Sequence, residues 1–169
     1  AITYDEHGIS IIDKNKCIRC GKCIHSCPFG AIASKTFIVP VIEALKAGKH
    51  IYAMAAPATE GQFGVDITMA SWKKAMKEMG FTDFYDVGLG GDMTAAYEAE
   101  EWAEAYKEGN KKVTSCCPAF VNMVRLHYPE LAECVSTTVS PMCAVSRLIK
   151  AKDPEAITVF IGPCVAKKS

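Results

Sequence analysis

The stretch "CIRCGKCIHSCPFGAI" sets Cys17, Cys20, Cys23 and Cys27 within eleven residues, with Pro28 directly after the last. The pattern is C-x2-C-x2-C-x3-C-P, the spacing of thiolates that wrap a four-iron, four-sulfide cube. A segment that holds such a cube has little freedom in how it folds. Three close thiolates must face three corners of one cluster, and backbone N–H groups around the loop must reach its sulfurs. Gly21 is small enough to let the backbone come close. A structural zinc site would instead set paired C-x2-C knuckles far apart. The fourth thiolate lies beyond a helical turn. It either completes the same cluster or faces a second one, and spacing alone leaves both open, since the sequence has one such run. His25, inside the loop, could substitute as a ligand. It reads more simply as a solvent-facing helix residue, and His7, His50 and His127 read the same way.

Nine cysteines without a secretion signal point to a reducing compartment, where cysteine clusters bind metal more often than they form disulfides. The expectation is a cytoplasmic protein. Lys plus Arg and Asp plus Glu are both 19, so the net charge is zero and no basic surplus marks a nucleic-acid interface. The longest apolar run, Ile51 to Ala58, is far short of the ~20 residues of a bilayer-spanning helix. The opening "AITYDEHGIS" is neither a signal nor a transit peptide. It also lacks an initiating Met, and reads as processed or cut from something longer.

Beyond the four-cysteine run the texture changes. "VPVIEALKAGKH" predicts a helix and "IYAMAAPA" a buried strand. "DITMASWKKAMKEMG" predicts a helix with Met69, Trp72, Met76 and Met79 as core filler at helical spacing. "FTDFYDVGLGG" predicts a strand with a glycine exit, and "DMTAAYEAEEWAEAYKEG" a helix capped at Asp92 and closed at Gly109. "KVTS" reads as a short strand. "PAFVNMVRLHY" and "SPMCAVSRLIKAK" read as helices with proline in the first turn, Ser140 capping the second. "AITVFIG" reads as a buried strand. Alternating strands and helices predict an α/β fold: a mostly parallel sheet with flanking helices, preceded by a small ferredoxin-like iron–sulfur segment. The expected division is residues 1–36 for that segment and 37–169 for the α/β part.

Two later segments also carry cysteine. In "VTSCCPAF", Cys116 and Cys117 are adjacent, so in an extended segment their side chains point opposite ways. In "FIGPCVAKKS", Cys164 stands at the exit of a predicted strand, where ligands gather in α/β sheets. Convergence of these thiols competes with the commoner reading of buried, inert cysteine.

"TSCCP" and "PCVAKK" behind the four-cysteine run resemble the iron-only (FeFe) hydrogenases, with "GDMTAAYEAEEW", "YPEL" and "SPM" in the family's order. The resemblance covers essentially the whole chain. It implies an H-cluster, a 4Fe–4S cube joined through a cysteine sulfur to a two-iron unit, and reversible H2 oxidation and proton reduction. By resemblance Cys117 and Cys164 are ligands of that cube, and Cys116 is the thiol that passes protons. Glu98, Glu101 and Ser136 match the rest of the proton path, and Lys167 matches a lysine that donates to a cyanide nitrogen. Cys17, Cys20 and Cys23 hold the electron-relaying 4Fe–4S cluster, with Cys27 as a metal ligand that either completes it or faces a second cluster. Implied partners are H2 and protons as substrate and a ferredoxin-type redox partner. The chain lacks the family's third cysteine motif, so a longer polypeptide or a second polypeptide is expected to supply the missing ligands. Phe120 stands where Trp is common, Gly162 where many relatives have Met, and Ala58 where they often have Ser. The alternatives are a non-catalytic relative in electron transfer, sensing or cluster assembly, and a piece with no activity alone. Cys116 weighs against the cluster-assembly relatives, which typically lack that thiol. Cys134 and Cys143 read as small core residues.

Overall fold

A computed structural model describes residues 1–168. Ile2–Tyr4 (β1) and Ser10–Ile12 (β2) pair antiparallel, with Ile2 opposite Ile12. The turn between them is an Asx turn: Asp5 Oδ1 accepts the N–H groups of His7 (2.9 Å) and Ile9 (2.8 Å). Then follow helices Lys22–Ser26 (α1) and Ile38–Lys46 (α2), strand Ile51–Ala55 (β3), helix Met69–Glu78 (α3) and strand Asp83–Asp86 (β4). Helices Gly88–Lys107 (α4), Pro118–His127 (α5) and Pro141–Lys152 (α6) precede strand Ile157–Ile161 (β5). The described residues fall into two compact units, neither continuous in sequence.

One unit comprises Thr36–Ala99 and Thr138–Pro163. Its sheet is all parallel, in the order β4-β3-β5, with Ala53 opposite both Phe84 and Val159. The α/β expectation holds. Because β3 is central, both of its faces must be covered, which is why it reads as a continuous apolar run. Ile51, Ala53 and Ala55 pack with Met76, Phe81 and Phe84 on one face. Met54 packs with Val87, Val145 and Ile149 on the other. Ile51, Val145 and Ile149 are essentially fully buried, each contributing about 1.5–3 kcal/mol of apolar transfer. Of the predicted apolar stripe on α3, Met76 is buried and Met69 and Trp72 pack against the core, while Met79 is exposed. His50 is exposed, as expected, and its Nδ1 lies 2.9 Å from Asp153 Oδ2, which also accepts the Tyr52 hydroxyl at 3.1 Å.

The strand-to-helix junction after β4 differs from the sequence expectation. The helix begins at Gly88 rather than after an Asp92 cap, and Asp86 Oδ1 accepts the Gly88 N–H at 2.8 Å. The "glycine exit" is the helix's first turn. Gly90 sits there because a Cβ at that position would stand 2.2 Å from the Pro141 carbonyl oxygen and 2.8 Å from Val145 Cγ2. Backbone cannot yield as a flexible side-chain end does, so Gly90→Ala is expected to cost at least the ~1–3 kcal/mol of an overpacked core. A thermal melt of the variant with the midpoint of the parent would refute that account. At α6, Ser140 is the N-cap residue but its side chain makes no capping bond, so Pro141 alone carries the start signal.

The other unit comprises Ala1–Lys35, Glu100–Thr137 and the residues from Cys164 onward. "KVTS" contributes one parallel bridge, Val113 with Val135, rather than a full strand. The Val113 N–H donates to the Cys134 carbonyl and its own carbonyl accepts the Ser136 N–H, both at 2.8 Å. Among the described residues, no helix is long and apolar enough to cross a membrane.

Candidate cluster-binding and catalytic site

The four-cysteine run is wrapped around a cavity of about 780 Å3 lined by Cys17, Cys20 and Cys23. Ile2, Ile12, Ile18, Ile24, Ile32 and Val165 give it an apolar wall. Arg19 and Gly21 bend the loop with left-handed backbone, φ 62° and 77°. Gly21 is buried, and a Cβ there would meet Val165 Cβ at 2.8 Å. A loop turned tightly over an apolar hollow with three thiols fits a cubane cluster. Cys27 stands outside that lining. The Ala31 N–H reaches its sulfur at 3.4 Å. That bond and a second from the Phe29 N–H hold the Cys27 thiol below the ordinary cysteine value, the state a metal ligand needs. His25 is exposed, as expected. Among the described residues, no three Cys, His, Asp or Glu side chains meet closely enough to hold a single metal ion. The thiolates of a cube take separate corners and do not meet in that way.

Helix α5 pins the loop from the side. Asn122 Nδ2 donates to the Ile18 carbonyl (3.5 Å), and His127 Nε2 lies 3.1 Å from the Lys16 carbonyl oxygen. His127 is exposed, as the sequence suggests, and also anchors the cluster segment. Lys168 lines the same cavity and donates to Ser34 Oγ at 3.4 Å.

Cys117 is the N-cap residue of α5 and is extended (φ −102°, ψ 108°), with Pro118 in the first turn. The Cys116 N–H bonds to Thr114 Oγ1 at 3.3 Å. Cys116 is half-buried and Cys117 exposed. The segment after Cys164 meets this turn: Lys167 Nζ donates to the Cys116 carbonyl at 3.2 Å. "TSCCP" and "PCVAKK" thus lie together, although 51 residues separate the two bonded positions.

Glu98 and Glu101 lie one turn apart on α4 and are both half-buried. Glu101 meets the segment after the Val113–Val135 bridge. The Thr137 N–H lies 3.2 Å from each of its carboxylate oxygens, and the Thr137 hydroxyl donates to Oε1. Hydrogen bonds from the Thr137 hydroxyl and then the Ser136 hydroxyl hold the Glu101 carboxyl below the ordinary glutamate range. Ser136 is buried. Sequence reading did not find Thr137, Asn122 or Lys168. Gly162 has a local explanation: a Cβ there would stand 2.9 Å from the Phe160 ring, which fills the space.

The family model described as "Iron only hydrogenase large subunit, C-terminal domain" matches residues 49–169. The chain belongs to the iron-only hydrogenases. The hydrogenase match is preceded by a match of residues 10–33 to a "4Fe-4S binding domain", so the four-cysteine run is a 4Fe–4S segment. Iron hydrogenase 1 of Clostridium pasteurianum is 32% identical over 160 residues, 83% of this chain and 28% of its own. The periplasmic Fe hydrogenase large subunit of Nitratidesulfovibrio vulgaris is 33% identical over 209 residues, 93% of this chain and 50% of its own. The NADP-reducing hydrogenase subunit HndD of Solidesulfovibrio fructosivorans is 27% identical over 176 residues, 90% of this chain and 30% of its own. This hydrogenase chain therefore spans half or less of the length of each of these relatives.

Proposed function

We propose that this chain forms part of the catalytic centre of an FeFe hydrogenase that interconverts H2 with two protons and two electrons. Residues 1–36 form the cluster segment and residues 37–169 the first part of the H-cluster domain. The observation that supports the reading best is the bond from Lys167 to the Cys116 carbonyl, because it draws the two hydrogenase motifs into one place. When bound, the H-cluster supplies the metal centre at which H2 is split or formed. Cys117 and Cys164 would be its ligands from this chain. Cys116 takes or gives the proton at its thiol, and Glu98, Ser136 and Glu101 pass it to solvent. Lys167 places a positive charge beside the cysteine pair, where it would stabilise anionic ligands of the cluster. Cys17, Cys20 and Cys23 would hold the 4Fe–4S cluster, which would supply electron exchange with a ferredoxin-type partner. The cysteine content supports a cytoplasmic setting, although one relative is named as periplasmic.

The test is Cys116→Ser in the cluster-loaded holoprotein. H2 turnover should fall by about 10²–10⁴-fold, the range expected for loss of a positioned proton-transfer group. Iron content should stay unchanged. Turnover near that of the parent would remove Cys116 from the proton path, and a cluster-loaded parent with no H2 turnover would favour the rival reading, a relative that moves electrons or senses without hydrogen chemistry.

A further inference from the structure

We propose that Thr137 is a positioning residue for the proton path, fixing the Glu101 carboxylate so that it faces an inner hydroxyl on one side and solvent on the other. The inference rests on the reading of Glu101 as the outer carboxylate of that path.

A glutamate side chain on a helix is long and turns freely about its terminal bond. Here one residue reaches both of its oxygens, with the Thr137 N–H 3.2 Å from Oε1 and Oε2 and the hydroxyl on Oε1. The donors are rigid. The backbone just before Thr137 is pinned by the 2.8 Å bond from the Ser136 N–H to the Val113 carbonyl, and a β-branched side chain has few χ1 choices. Neighbouring side chains in an extended segment point to opposite sides. Ser136 is buried and Thr137 exposed, yet both hydroxyls bond Glu101. The carboxylate therefore sits between an inward hydroxyl and an outward one. A hydroxyl both donates and accepts, so each can hand on a proton without a change in charge.

Beside Glu101 opens a cavity of about 400 Å3, large enough for several waters. Its charged and titratable lining is Glu104, Glu108, Lys111, Lys112, Glu133 and Cys134. Lys112 donates to the Glu133 carbonyl at 3.0 Å, and its charge, like the two hydroxyls, favours the ionised form of Glu101. The glutamates of the lining oppose it.

Two readouts separate this role from a structural one. In residues 1–169 carrying ¹³C-labelled glutamate, Glu101 should titrate below the ordinary range. In Thr137→Val the N–H bonds remain and the hydroxyl is lost, so the titration should move up toward that range. Thr137→Ser should restore it. In the holoprotein, Thr137→Val should lower kcat about tenfold, as a displaced relay group does. The KM for the electron donor should stay unchanged and the solvent isotope effect should rise. Thr137→Ser should again recover most of the loss. A Thr137→Val protein with the parent's Glu101 titration and kcat overturns the proposal, provided Glu101→Gln itself lowers kcat. If Glu101→Gln leaves kcat intact, the reading of the path fails and the proposal falls with it.

Discussion

Cys20→Ser, in residues 1–169 reconstituted anaerobically with iron and sulfide, should lose nearly all bound iron, where the parent holds about four irons per chain. The expectation follows from the cavity. Cys17, Cys20 and Cys23 line one apolar hollow. A cube deprived of one of three adjacent thiolates has no further thiol in the lining to replace it, because Cys27 is not part of that lining. Cys134→Ser is the control and should keep the full complement. Cys27→Ser decides what spacing left open. Since its sulfur lies outside the hollow and is stabilised by backbone N–H groups of its own turn, that variant should keep most of its iron. Loss of iron in Cys27→Ser as complete as in Cys20→Ser would mean that all four thiolates close on one cube.

Gly21→Ala should be nearly as damaging, although it touches no ligand. At φ 77° a Cβ carries a left-handed penalty of about 1–2 kcal/mol. It would also stand 2.8 Å from Val165 Cβ, and overpacking of that kind costs about 1–3 kcal/mol more. For a chain of this size a loss of roughly 2–5 kcal/mol lowers the melting midpoint by about 5–15 °C. Val165 follows Cys164 directly, so the variant should disturb the second cysteine site as well as the first. Adding Val165→Gly removes the clash and leaves the backbone penalty. The double variant should therefore regain part of the midpoint, but not all. A single variant that melts with the parent would show that the loop moves freely at Gly21.

Much of this architecture was legible because its causes are local. The four-cysteine spacing defines its own loop, and the apolar runs at Ile51–Ala55 and Ile157–Ile161 are what buried parallel strands require. The start of α4 was not legible. Gly88, Gly90 and Gly91 have poor helix propensity and read as an exit loop, and only the nearness of the Pro141 carbonyl explains why glycine is needed inside the helix. The clamp on Glu101 escaped for a similar reason. Thr137 lies 36 residues away, and nothing in its neighbours marks it. His50 and His127 are surface residues as the sequence suggests, but their partners, Asp153 and the Lys16 carbonyl, are about a hundred residues distant and were not legible. The motifs named the chemistry of the cysteines, whereas the residues that aim and hold them are set by tertiary contacts.

The meeting of Val165 and Lys168 with the cysteine loop has a consequence for how the protein is made. Lys168 and Ser34 are 134 residues apart in sequence. On a ribosome adding about 5–20 residues per second, the loop waits on the order of ten seconds for the segment that completes its wall. During that interval the hollow lined by the three thiols lacks the part of its wall that Val165 and Lys168 supply. A cluster delivered then would land on an unfinished cradle. The wall that would hold a cluster is complete only once translation has passed Lys168.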